Sequence, residues 1–158
     1  MQHSLKTGFS FGLTSATITT LGLMVGLESG TGSKIVVLGG ILTIAIADAF
    51  SDALGIHISE ESENKHNEKE IWASTLATFF SKFLFALTFV IPIILFKLQT
   101  AVIASIVWGL LILSLLSFRM AKSQNEKPIR VIGEHLLIAV VVIIITHYLG
   151  HWISVTFG

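Results

Sequence analysis

The most regular feature of the chain is a succession of five long apolar stretches separated by short polar segments. Each stretch is close to the roughly 20 residues that a helix needs to cross the hydrocarbon core of a bilayer. The apolar residues run continuously instead of alternating, which argues against a membrane β-barrel and favours helices. The pattern therefore predicts an all-α integral membrane bundle of five transmembrane helices, over residues of about 10–27, 35–58, 71–96, 101–118 and 131–153.

The composition agrees with a membrane protein. Hydrophobic residues make up 53% of the chain and charged residues 13%, and the mean hydropathy is +0.82. A soluble domain carries about 25% charged residues, so an ordinary soluble protein is excluded. Basic and acidic residues balance at 10 each, which argues against a nucleic-acid partner. The absence of cysteine removes thiolate metal sites. Because the loops are short, residues 1–158 are predicted to form a single transmembrane domain lying in the lipid bilayer.

The orientation follows from the lysine and arginine residues between the spans. If the N-terminus is cytoplasmic, seven of these residues lie inside and only Lys34 and Lys97 lie outside. Cytoplasmic loops of membrane proteins carry the excess of positive charge, so this distribution predicts an N-in, C-out topology. We therefore expect an integral, multi-pass protein of a prokaryotic cell membrane.

The second predicted span carries two aspartates, Asp48 and Asp52, four residues apart. On a helix this spacing places both carboxylates on one face, with Cβ atoms about 5–6 Å apart. An ionised carboxylate at the centre of a bilayer costs about 2.5–3.5 kcal/mol on insertion scales, so a proton or a cation is expected there. One interpretation is a metal site that binds an ion and protons in alternation. The alternative is a structural pair buried against Lys82, which lies in the middle of the third span.

An acidic segment follows the second span, and residues 59–70 are predicted to form a short cytoplasmic loop. Glu60, Glu61 and Glu63 continue the direction of the aspartate pair, and they are candidate metal ligands that collect cations at the cytoplasmic mouth. The alternative is a solvated loop with Glu–Lys pairs, for example between Glu61 and Lys65.

Three histidines are candidates for a secondary metal site. His57 follows the aspartate pair but is turned about 140° away from its face by helix geometry. It is either an interfacial residue or a ligand within a dimer. His147 and His151 are four residues apart, a spacing that allows two imidazoles to share one metal ion. Their neighbours Tyr148 and Trp152 favour the alternative of an aromatic belt at the outer membrane interface.

The first span is rich in hydroxyl groups and glycine. Ser15 and Thr19 are candidate pore-lining residues opposite the aspartates, although hydroxyls in helices also bond back to their own backbone. Three Gly-x-x-x-Gly spacings between residues 8 and 30 favour close packing against other helices. Pro92 is predicted to bend the third span, and Pro128 to begin the fifth.

Several segments resemble one known family. Residues 15–26 have the sequence Ser-Ala-Thr-Ile-Thr-Thr-Leu-Gly-Leu-Met-Val-Gly, and residues 51–59 have Ser-Asp-Ala-Leu-Gly-Ile-His-Ile-Ser. Together with residues 72–81, Pro92 and residues 128–138, they resemble the helices of the vacuolar iron transporter family. Members of that family move divalent iron or manganese out of the cytoplasm in exchange for protons. The resemblance implies a homodimer in which the first two spans of both subunits line the path.

The chain also departs from the pattern of that family. Ser15 stands where the family has aspartate, Asp52 where it has methionine, and Ile56 where it has glutamate. The family's large cytoplasmic metal-binding insert is missing, and the short segment 59–70 takes its place. A hard oxygen ligand in place of a thioether shifts the expected ion toward manganese. In a homodimer, two copies of the aspartate pair would form a four-carboxylate site, which suits a divalent cation.

The sequence thus predicts a transporter of divalent metal ions, Fe²⁺ or Mn²⁺, that exports them from the cytoplasm by proton antiport. The ion is the cargo, and no resident cofactor is expected. An enzyme is not expected, because the chain contains no His-Glu-x-x-His, no Gly-x-Ser-x-Gly and no phosphate-binding loop. The alternative is a non-transporting, dimeric membrane anchor or partner subunit in which the aspartates and Lys82 form a structural network.

Overall fold

In the computed structural model, which describes residues 2–158, the chain folds into helices and contains no strand over that range. Five helical stretches are long and apolar enough to cross a membrane, which confirms the predicted all-α membrane fold. The helices are α1 (Gln2–Thr31), α2 (Lys34–Ser62), α3 (Glu68–Thr88), α4 (Val90–Leu95), α5 (Leu98–Ser123) and α6 (Pro128–Phe157).

The third span is interrupted, and it consists of α3 followed by the short α4. Proline has no N–H group, so Pro92 cannot complete the helical hydrogen bond to the carbonyl of Thr88. The interruption at Phe89 lies directly beside that missing bond, and the backbone N–H of Phe89 bonds to the Ala86 carbonyl instead, at 3.1 Å. The predicted bend is therefore confirmed. Pro128 begins α6, also as predicted.

The predicted loop over residues 59–70 is mostly helical, and this boundary was wrong. The helix α2 continues to Ser62 and α3 begins at Glu68. Asn64 ends the first helix with a backbone φ of 52°, a conformation that asparagine tolerates better than most residues. Asn67 and Glu70 then form a capping box that starts α3. The predicted boundary was placed where the apolar residues end, but a helix can continue through polar residues beyond that point.

The helix α1 occupies the centre of the bundle, where it contacts α2, α3, α5 and α6. Its glycines permit these contacts. A Cβ atom added to Gly8 would collide with the Ser74 carbonyl of α3, and one added to Gly150 of α6 would collide with the Gly26 carbonyl of α1. The close packing predicted from the Gly-x-x-x-Gly spacings is thus present at both ends of α1.

The interior changes character along the bundle. Toward the α4 end the core is apolar, and it is formed mainly by Leu21, Met24, Val37, Ile41, Phe89 and Ile93. Toward the opposite end, which holds the start of α1 and the 63–67 loop, the interface between α1 and α3 buries hydroxyl groups. There the hydroxyl of Thr78 donates to the carbonyl oxygens of Gly8 and Ser74, at 3.2 and 2.9 Å. Lys82 lies one turn beyond these hydroxyls on α3, where the polar interior gives way to the apolar core.

Candidate functional site

Lys82 is the most deeply buried charged residue of the bundle, with 1% of its surface exposed. Its ammonium nitrogen lies 2.6 Å from Oδ2 of Asp48 and also contacts Oδ2 of Asp52. Both carboxylates come from one face of α2, because four residues separate them. The sequence left a contact between Lys82 and these aspartates as one of two interpretations, and the structure contains that contact with both of them. Asp48, Asp52 and Lys82 are called the aspartate–lysine cluster below.

The two aspartates bind the ammonium differently. Asp52 accepts a hydrogen bond from Nζ of Lys82. Asp48 lies within ion-pair distance, but its Oδ2 atom is buried and accepts no hydrogen bond of ordinary geometry from residues 2–158. Lys82 directs a further hydrogen bond to the Ser15 hydroxyl oxygen at 2.7 Å. The Oδ2 atom of Asp48 can therefore still accept a hydrogen bond.

Ser15 reaches the aspartate–lysine cluster from α1 through Lys82. Its hydroxyl oxygen is within hydrogen-bond distance of Lys82, so α1, α2 and α3 all contribute to one polar site. Thr19 lies one turn further along α1 and is half-buried, and its hydroxyl donates to the Ser15 carbonyl at 2.9 Å. Thr19 thus follows the alternative considered for it, a bond to its own helix, and it makes no direct contact with the cluster through this hydroxyl.

The cluster carries an uneven formal charge. Two carboxylates and one ammonium give a net charge of −1 when all three are ionised. No other ionisable side chain occurs in residues 7–27 of α1, 71–88 of α3 or 98–118 of α5. The remaining negative charge is therefore not compensated by these neighbouring helices, and one added positive charge would neutralise the site.

One side of the cluster reaches the surface of the bundle. The side chains of Asp48 and Asp52 are 24% and 19% exposed, whereas Lys82 is covered. Ser51 and Gly55 follow the aspartates by three residues on the same side of α2, and both are exposed. Small residues there leave the carboxylates open to approach from outside the bundle, across the surface of α2.

The acidic run divides into buried and exposed residues. Glu60 is the last buried residue of α2, with 7% of its surface exposed, and its Oε2 atom has no hydrogen-bond partner among residues 2–158. Glu61 and Glu63 are exposed, and Glu63 pairs with Lys65 at 3.6 Å. The proposed pair between Glu61 and Lys65 is absent from the ion pairs of the described residues, since α2 ends before Lys65. Within residues 2–158 no three or more His, Asp or Glu side chains converge as a metal-binding group.

The three candidate histidines lie at separate places. His57 hydrogen-bonds through Nδ1 to the Thr75 hydroxyl at 2.9 Å and packs edge-on against Trp72, so it joins α2 to α3. His147 and His151, one turn apart on α6, are both exposed, and His147 also lines an open cavity between helices. The tyrosine and tryptophan beside them are exposed, as lipid-facing aromatic residues are.

Two polar features were missed by reasoning from the sequence. The hydroxyl of Ser117 on α5 lies 2.7 Å from Nδ1 of His135 on α6, and it also donates to the Leu113 carbonyl at 2.6 Å. Because the single hydroxyl proton is donated to that carbonyl, the Ser117 oxygen accepts a hydrogen bond from the imidazole. This hydrogen bond joins α5 to α6. The other is Glu28 of α1, which lines the same cavity as His147. The residues of each pair, Ser117 with His135 and Glu28 with His147, lie on different helices, so no spacing within one helix predicts that they come together.

Comparison with models of known protein families gives no match to this chain. Comparison with curated proteins gives no significant match either.

Proposed function

We propose that the protein is a proton-coupled transporter of divalent metal ions, Fe²⁺ or Mn²⁺, that moves them out of the cytoplasm. The observation that carries this proposal is the aspartate–lysine cluster. Two carboxylates from one face of α2 share a single ammonium inside the bundle and retain a net negative charge. Ionisable residues within membrane spans usually serve ion or proton pathways, because their burial in lipid is costly.

Lys82 occupies the position between the two carboxylates that a cation would take. In the proposed cycle, an arriving ion displaces the ammonium from the aspartates, while Ser15 remains as its hydrogen-bond partner. The carboxylates are then never without a positive partner, which avoids the cost of uncompensated carboxylates in the membrane, while the displaced ammonium keeps only the Ser15 hydroxyl. Carboxylate oxygens suit hard divalent ions such as Mn²⁺. The proton that returns in exchange binds the same site when the ion has left.

A homodimer is part of the proposal. The partly exposed carboxylates lie beside Ser51 and Gly55, a surface on which another helix can approach closely. A second copy of α2 there would shield the carboxylates from lipid and contribute its own pair. The resulting four carboxylates match the oxygen coordination of a divalent ion better than one pair does.

The direction and the entry side follow from charge. The excess of lysine and arginine at the end that holds the 63–67 loop supports an N-in, C-out topology. Glu61 and Glu63 then face the cytoplasm and raise the local concentration of cations at the mouth. Glu60 lies deeper, two turns beyond Asp52 on α2, and is proposed as the step between this mouth and the cluster.

A second candidate function is a non-transporting dimeric anchor or partner subunit. One observation favours it: Lys82 contacts both aspartates within a single chain, as a purely structural network would. In that case the cluster fixes the packing of α1, α2 and α3, and it exchanges neither ions nor protons.

A flux measurement tests the proposed function. The purified protein is placed in sealed vesicles that contain a Mn²⁺-sensitive dye or a pH-sensitive dye, and Mn²⁺ or Fe²⁺ is added outside across a pH gradient. We expect ion uptake coupled to proton movement in the opposite direction, at a rate well above that of protein-free vesicles. Ion flux no greater than in protein-free vesicles, for both ions and both gradient directions, would exclude the transporter and leave the anchor.

A further inference from the structure

A cavity of about 380 Å³ lies between α1, α5 and α6, toward the α4 end of the bundle, and it is open to the outer surface, where its lining residues Ile144, His147 and Tyr148 are exposed. It is separate from the aspartate–lysine cluster. Glu28, which lines it, is 13 residues beyond Ser15 on α1, which corresponds to about 20 Å along a helix. The proposed transport mechanism uses none of its residues. Five aliphatic side chains form most of its wall, and Glu28, His147 and Tyr148 supply the polar groups.

The carboxylate of Glu28 is half-buried and has no ion pair or side-chain hydrogen bond with any residue between 2 and 158. The ring of His147 packs edge-on against Tyr148, with centroids 5.7 Å apart. A hydrogen bond from the Ser29 hydroxyl to the His147 carbonyl, at 2.9 Å, fixes this part of α1 against α6. Glu28 is therefore a carboxylate without a partner among residues 2–158, on the wall of a mainly apolar cavity.

We propose that this cavity binds a hydrophobic organic monocation, such as an alkyl- or arylammonium ion. The Glu28 carboxylate pairs with the positive centre of the ligand. The aliphatic walls, which include Val102 and Ile106, cover the apolar body of the ligand.

A metal ion fits the same cavity less well. Glu28 and His147 are its only carboxylate and imidazole, and metal sites in proteins usually have three or four protein ligands. An ion would also leave the aliphatic walls uncovered, whereas an organic cation fills the space beside them. The chemistry of the wall thus favours a ligand with one positive charge and a large apolar surface.

Binding of benzyltrimethylammonium to the purified full-length protein in lipid nanodiscs, measured by equilibrium dialysis, tests the proposal. Neopentylbenzene, which has the same shape without the charge, serves as the matched probe. We expect the cation to bind more tightly than the neutral probe, and Glu28→Gln to weaken cation binding by at least about tenfold, because a charged contact is lost. Glu126→Gln, an exposed glutamate outside the cavity, and His151→Ala should leave binding unchanged.

A second variant guards against a folding defect in Glu28→Gln. Ile144→Trp fills the cavity and keeps the carboxylate, and it should also weaken binding of the cation. Equal binding of the neutral probe, or unchanged binding in either variant, would overturn the proposal. It would equally be overturned if Co²⁺ bound in a manner dependent on Glu28 and His147 while the ammonium ion did not. These outcomes are independent of metal flux through the cluster.

Discussion

At the scale of single residues, Asp48, Asp52 and Lys82 are not equivalent. Asp52 accepts the hydrogen bond from Lys82, whereas Asp48 contributes a close charge without one. Removing one partner of a buried ion pair is usually more harmful than removing both, because a single uncompensated charge remains. The effects of single and double substitutions on stability and on transport therefore show whether the cluster serves transport or only helix packing.

Asp52→Asn is expected to abolish Mn²⁺ transport and to lower the free energy of unfolding by about 1.5–3 kcal/mol, since Lys82 loses a charged hydrogen-bond partner. Lys82→Met alone leaves two carboxylates without their ammonium, and it should cost about 3–5 kcal/mol. The double variant Asp52→Asn/Lys82→Met should be more stable than Lys82→Met alone, but it should not transport Mn²⁺. Thermal unfolding and vesicle flux measure the two effects separately. Full transport in a double variant of restored stability would show that the cluster is structural.

The glutamates of the acidic run are expected to differ according to burial. Glu61→Gln and Glu63→Gln together should raise the half-saturating Mn²⁺ concentration about two- to threefold and leave the maximum rate unchanged, because exposed charges act mainly on local ion concentration. Glu60→Gln should reduce the maximum rate, since Glu60 is buried and the proposed path to Asp52 passes it. Flux measured over a range of Mn²⁺ concentrations, at low and high salt, separates these effects. If Glu60→Gln and the variants of its exposed neighbours changed the flux in the same way, Glu60 would not be part of the proposed ion path.

At the scale of helices, the contacts of α1 with α3 and α6 are made through glycine. Where a glycine touches backbone, an added methyl group has no flexible neighbour to displace, so the helices must separate. Where a glycine faces open space, alanine only improves helix propensity. The same substitution therefore has opposite expected signs at two positions of α6.

Gly150→Ala should destabilise the protein by about 1–3 kcal/mol, because its Cβ would collide with the Gly26 carbonyl of α1. Gly133→Ala is the matched control on the same helix, where no atom lies within 4 Å of the added Cβ. It should be neutral or stabilising by up to about 1 kcal/mol. Thermal unfolding of both variants in one detergent makes the comparison. Equal stability of the two would contradict the close α1–α6 packing.

The helices and their packing were largely predictable from the sequence, while contacts between distant residues were not. Continuous apolar runs predict five spans, and the i,i+4 spacing of Asp48 and Asp52 predicts a shared face. An isolated lysine in the middle of a span needs an acidic partner, which made Lys82 a candidate partner of the aspartates. Glu28 shares a cavity with His147 only because α1 and α6 pack together there, and no pattern within either helix encodes that packing. The burial of Glu60 was missed for the same reason.

At the scale of the whole molecule, the surface of α2 differs from the other outer surfaces because it holds partly exposed carboxylates. Asp48 and Asp52 reach this surface, and lipid is a poor neighbour for carboxylates. α6 also faces outward, with only Ala139 and Gly150 buried, but its exposed residues are mainly large and apolar and suit lipid directly. The α2 surface also exposes large apolar residues such as Phe50 and Leu54, so the carboxylates are what distinguish it, and the proposed dimer places a second α2 beside them.

The last prediction concerns that association. In mild detergent, the protein should have the mass of a dimer by light scattering or native mass spectrometry. Gly55→Leu places a bulky side chain on the exposed face of α2 and should shift the protein to monomer. Gly133→Leu is the matched control, because Gly133 is likewise exposed within a helix and has no atom within 4 Å of an added Cβ, but it lies on α6. Gly133→Leu should remain dimeric and transport normally, whereas Gly55→Leu should lose transport together with the dimer, because a single subunit supplies only two of the four carboxylates. A monomeric wild-type protein that still transports Mn²⁺ would contradict the shared site and place the whole ion path within one chain.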